Sequence, residues 1–79
     1  MQFALCTNNS GYPVALEVGK VYATISDAEA ASHGYIRVVD ESGEDYAFAS
    51  DRFYVIELPN AIGQNVLSAR SNRQVTTII

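Results

Sequence analysis

Tyr35-Ile36-Arg37-Val38-Val39-Asp40-Glu41-Ser42-Gly43-Glu44-Asp45-Tyr46-Ala47-Phe48-Ala49 reads as two strands around a tight turn, and its register follows from burial. A two-residue loop at Ser42-Gly43 would set Ile36 and Val38 on the face away from Tyr46 and Phe48. A three-residue loop, Glu41-Ser42-Gly43, pairs Asp40 with Glu44, Val38 with Tyr46 and Ile36 with Phe48, so four large apolar residues share one side. Slipping a strand by one residue turns every side chain to the opposite face, so the apolar pattern selects the three-residue loop. Gly43 then supplies the positive φ of a bulge. All four residues, Tyr46 included, are expected in the core.

Working outward, Gln2–Cys6 is a short apolar run suited to a first strand, and Thr7-Asn8-Asn9-Ser10-Gly11 is a dense turn cluster. Tyr12, Val14, Leu16 and Val18 alternate with Pro13, Ala15 and Glu17, which predicts extended structure with an edge or wide loop at Pro13. Gly19-Lys20 is expected to turn, and Lys20 to Ser26 resumes as a strand with Val21, Ala23 and Ile25 on one face. Asp27-Ala28-Glu29-Ala30-Ala31-Ser32-His33-Gly34 reads as one or two helical turns, capped by Ser26 or Asp27 and ended by Gly34. Ser50-Asp51-Arg52 is a tight turn, and Phe53–Leu58 a closing strand. Five short strands with one wide early loop predict a mainly β, five-stranded barrel over 1–58, whose closure removes exposed edges. Pro59 suits the first turn of a helix, and Ile62, Val66 and Ala69 give it an apolar stripe. Residues 59–79 therefore read as an amphipathic helix, weakened by Gly63, and a tail whose Val75-Thr76-Thr77-Ile78-Ile79 is uncharged and β-prone.

Composition bounds the function. The chain has 79 residues, 48% hydrophobic and 18% charged, which is globular and close to the lower size for a self-sufficient core. Cys6 and His33 are the only residues of their types, so neither an internal disulfide nor a Cys/His metal set is available. No nucleophile or phosphate-binding motif is present, and an enzyme, a cofactor or a metal is not expected. Residues 1–58 carry nine acids against Lys20, Arg37 and Arg52, net −6, whereas 59–79 carry Arg70 and Arg73 with no acid. An acidic body repels phosphate backbones, which opposes nucleic-acid binding. No segment has the run of about 18 apolar residues that a membrane span needs, nor is a secretory signal evident. With one lone thiol, the expected location is cytoplasmic.

The order of these features resembles SH3-like barrels: Leu16-Glu17-Val18-Gly19-Lys20-Val21 leaving a wide loop, a central hairpin, and Ser50-Asp51-Arg52-Phe53-Tyr54-Val55 like the short 3₁₀ turn before a last strand. Arg37–Tyr46 is similar to a stretch in small uncharacterised bacterial proteins with that fold. Cys6-Thr7-Asn8 follow Ala4-Leu5, the chain has no Trp, and Ala49 stands where a proline is usual, so the resemblance does not imply polyproline binding.

The candidate contact residues are Asp40, Glu41, Glu44 and Asp45 at the hairpin tip, with Tyr12 and Tyr54 beside the wide loop and the last turn. Asp40 facing Glu44 costs a few tenths of a kcal/mol, a cost that a basic partner surface would offset. The reading that follows is a non-enzymatic protein-interaction module with an unknown protein partner. The alternative is a homo-oligomer assembled through the C-terminal helix and tail.

Overall fold

The computed structural model describes the backbone of residues 1–71 and the side chains of 1–68. Five strands form one antiparallel sheet: β1 (Gln2–Cys6), β2 (Val21–Ile25), β3 (Tyr35–Val39), β4 (Asp45–Ala49) and β5 (Phe53–Glu57), in the order β4-β3-β2-β1-β5. Helix α1 (Ala28–Ser32) joins β2 to β3, a 3₁₀ turn (Ser50–Arg52) joins β4 to β5, and α2 (Asn60–Ser71) follows β5.

The hairpin register is the three-residue one. Val38 pairs with Tyr46 and Ile36 with Phe48, while the Asp40 amide donates to the Glu44 carbonyl at 2.9 Å. Gly43 has φ +86° with open space where a Cβ would sit, so only backbone strain opposes a side chain there. Gly43→Ala is expected to cost about 1 kcal/mol, the penalty for an L-residue in the left-handed region. Chemical denaturation checks this, and a neutral result would mean the turn relaxes into another type. Ile36 is partly buried against the core, and burial departs furthest from expectation at Tyr46. Val38 and Phe48 are buried, but Tyr46 is 49% exposed, its hydroxyl reaching the Glu44 carboxylate at 3.3 Å. It shares the inner face as the register requires, yet lies on the edge strand, where its polar tip keeps it at the wet margin instead of in the core.

The inner face of the sheet carries Ala4, Cys6, Tyr22, Val38 and Phe48, packed with Leu16 from the loop between β1 and β2. Phe3 and Val21, one residue out of phase, are buried on the other face. The sheet is strongly curled. Four strand spacings would hold β4 and β5 about 19 Å apart if flat, but three residues at about 2 Å each connect them. The rings of Phe48 and Phe53 lie 6.4 Å apart across that corner.

The curl stops short of closure. Among the described residues no ladder joins β4 to β5, so the expected closed barrel is an open curled sheet. The wide loop occupies the seam: Tyr12 packs edge-on against Phe48 at 4.8 Å, and its hydroxyl accepts the outward-pointing Ala49 amide at 3.4 Å.

That loop is not the extended segment expected at Tyr12–Val18. The Leu16 amide donates to the Tyr12 carbonyl and the Tyr12 amide to Asn9, which coils the backbone, and the Asn9 side chain holds the Leu16 carbonyl. Pro13 fits this coil because it has no amide to leave unpaired.

Helix α1 forms as expected. The Asp27 carboxylate accepts the Ala30 amide, and Gly34 follows with positive φ. In α2, Gly63 has a different role from the weak point expected. It is buried against Met1, and a Cβ there would meet the Met1 side chain, so the missing side chain lets the helix seat on the start of β1. Of the apolar stripe, Ile62 is half exposed and Val66 partly buried. Residues 72–79, with the Val75–Ile79 run, lie outside the described residues, as do the side chains of Ala69 and Arg70.

Candidate functional site: a buried clamp and an apolar groove

The alternation of β2 that puts Tyr22 inward also puts Lys20 inward, beside Cys6, whose amide donates to the Lys20 carbonyl at 2.8 Å. The Lys20 side chain is only 8% exposed, and its ammonium donates to both Glu41 oxygens at 2.9 and 3.0 Å. The Tyr22 hydroxyl donates to the same carboxylate and accepts the Glu17 amide at 2.8 Å. Glu41 also donates its own amide to the Ala15 carbonyl at 3.0 Å. The group thus ties β2, the wide loop and the hairpin tip together. The sequence sets Lys20 where the turn passes into the strand, two residues before Tyr22 and therefore on its face, but nothing local marks it as buried.

This arrangement holds structure. Burial, then the Glu41 carboxylate, pushes the Tyr22 hydroxyl pKa well above its ordinary 10.0, so it stays protonated at neutral pH. Burial also raises the Cys6 thiol above 9.0. In both cases the unfolded chain releases its proton first as pH rises. Their contribution to stability is whole below the ordinary values and is lost as pH climbs past 9.0 for Cys6 and 10.0 for Tyr22 toward the raised folded values. The urea midpoint is expected to be steady at neutral pH and to fall in that alkaline range. Tyr22→Phe should flatten the part of the fall above 10.0, and an unchanged slope would refute the assignment.

The residues singled out at the hairpin do not form one free acidic face. Asp40 is 4% exposed, with its carboxylate turned back onto the Ser42 amide at 2.8 Å and the Ser42 hydroxyl. It caps the turn and does not confront Glu44. Glu41 belongs to the clamp. Asp45 is exposed but paired with Arg37 at 3.2 Å, and Glu44 is exposed beside the Tyr46 hydroxyl. Tyr12 is partly buried in the seam, whereas Tyr54 is 65% exposed on β5. Cys6 lies buried in β1, and His33 is exposed at the end of α1. Among the described residues no three His, Cys, Asp or Glu side chains converge to hold a metal ion, and no helix is long and apolar enough to cross a membrane.

A second feature was not anticipated. Where β1 and β3 begin and β2 ends, the curled sheet leaves a groove of about 370 Å³. Ile25, Tyr35, Ile36 and Val55 give it an apolar lining, and Ile25, Tyr35 and Val55 stand exposed. Asp27 and Arg37 supply its charge, joined at 2.9 Å. The Ala30 amide and then the Arg37 guanidinium hold the Asp27 carboxyl below its usual pKa, and Asp27 and then Asp45 raise that of Arg37. The sequence signal was present in part, since Ile25 and Tyr35 flank the α1 loop, but Val55 arrives through the β1–β5 pairing.

No family model matches the chain, and neither the curated proteins nor the solved structures yield a match.

Proposed function

We propose that this chain is a non-enzymatic protein-interaction module on an SH3-like fold, docking its partner at the groove beside α1. The fold assignment is supported by the wide loop after β1, the tight hairpin and the 3₁₀ turn before β5. The reading rests on one observation: Ile25, Tyr35 and Val55 stand exposed around a concave surface. Contiguous apolar surface on so small a domain marks a contact site. The paired Asp27 and Arg37 beside it give orientation, because a charge of either sign on the partner finds a complement there.

Of the contact residues the sequence suggests, Tyr54, Glu44 and the Arg37-paired Asp45 are exposed to a partner, whereas Asp40 and Glu41 have internal roles. The net −6 of residues 1–58 opposes nucleic acid and favours a partner with a basic surface. The test is affinity capture from native lysate with the wild type and with Tyr35→Ala and Ile25→Asp. Both changes sit on exposed side chains, so folding is expected to survive, which circular dichroism checks. Proteins held by the wild type should be lost from both variants. An identical set on all three refutes the groove as the docking surface.

A further inference from the structure

The Met1 amine donates to the Leu58 carbonyl and the Leu58 amide donates back to Met1, so these two residues form a hydrogen-bonded pair. Such pairs alternate along an antiparallel ladder. Phe3–Ile56 and Leu5–Tyr54 are therefore bonded as well, and the amides and carbonyls of Val55 and Glu57 point away from β1. Neither has a backbone partner beyond β5 among the described residues. The same edge borders the groove, with the Val55 side chain in its lining and, two residues on, the Glu57 carboxylate, 73% exposed and 3.7 Å from the Met1 amine. A strand added here would pair its backbone with β5 and drop alternate side chains into the groove.

We propose that this edge is taken by residues 73–79 of a second copy of the chain, running antiparallel to β5. In that pairing Arg73 meets Glu57 and Val75 meets Val55, and Val75 projects into the groove. The inference rests on the groove being a docking surface and names its occupant. Three observations select this segment. Val75-Thr76-Thr77-Ile78-Ile79 is uncharged and rich in β-branched residues, which suits a strand packed on an apolar groove. Its neighbours Arg70 and Arg73 are cations in a stretch without acids, opposite in charge to the net −6 of residues 1–58. In the same copy this pairing would require α2 to lie straight back along β5, because twelve helical residues carry it about 18 Å along its axis from a start three residues after Glu57, and two residues beyond Ser71 reach only about 7 Å. A second copy pairs without that constraint.

The test uses the full chain. Amide hydrogen exchange at Val55 and Glu57, read by NMR across a hundredfold range of protein concentration, should slow at least tenfold at the high end. Sedimentation should show association over the same range. Thr77→Pro, which cannot continue a strand, should abolish both effects while leaving the core amides of Tyr22 and Val38 protected. Glu57→Lys should weaken association, and mixing it with Arg73→Glu should restore it. Exchange at Val55 and Glu57 independent of concentration, or unchanged by Thr77→Pro, overturns the proposal. Capture lost with Tyr35→Ala in a chain that stays monomeric would overturn this inference and leave the docking role of the groove standing.

Discussion

Glu41→Ala is expected to destabilise the domain by about 3 kcal/mol, the low end for breaking a buried ion pair from one side, because the Glu41 side chain is 31% exposed but the Lys20 it leaves uncompensated is only 8% exposed. The Lys20 ammonium is nearly enclosed and donates to both Glu41 oxygens, so the substitution removes its counter-charge and those acceptors together. The Tyr22 hydroxyl loses an acceptor as well, although it keeps the Glu17 amide. With a urea m-value near 1.5 kcal/mol/M the midpoint should drop by about 2 M, a large part of the stability of a chain this size. The pair itself is worth far less than its breaking. Lys20→Met combined with Glu41→Leu should fall within about 1 kcal/mol of the wild type, because both desolvation penalties vanish with the attraction. If Glu41→Ala costs under about 1 kcal/mol, the lysine stem has swung its head into water and the clamp is not what joins the wide loop to the hairpin.

The contrast between that clamp and the hairpin shows how far the sequence could be read. The register of β3 and β4 was legible because Ile36, Val38, Phe48 and Gly43 lie within thirteen residues and one apolar pattern constrains them all. Asp27, Gly34 and Ser50–Arg52 were legible for the same reason, since caps and tight turns are local. Period two failed at Tyr12–Val18, where hydrogen bonds within the loop coil the backbone despite the alternation. Glu41 reads as a contact residue for a partner because nothing nearby announces Lys20, which reaches it only once β2 lies beside β3. Closure was overestimated on the same grounds. Whether β4 meets β5 depends on what the wide loop places in the seam, and Tyr12 acts there through Phe48 and Ala49, more than thirty residues away.

Leu16→Ala gives the second large expected effect, a loss of about 3 kcal/mol, within the range for emptying a fully buried leucine site. Leu16 is 1% exposed and packs with Tyr22, Val38 and Phe48, whereas Val14, two residues earlier, is 91% exposed. A strand with period two would bury or expose both alike, so Val14→Ala should change stability by less than about 0.5 kcal/mol. The energetic asymmetry follows from the coil, which turns Leu16 onto the inner face with Tyr12 and Ala15 packed beside it and leaves Val14 in water. The site has little freedom to collapse around alanine, because the Leu16 amide and carbonyl are both held, by Tyr12 and Asn9. Asn9→Ala releases one of those tethers. In that background Leu16→Ala should cost less than in the wild type, since the loop can then settle into the space. Thermal unfolding of the four chains measures the coupling, and equal losses at Val14 and Leu16 would mean the segment is extended after all.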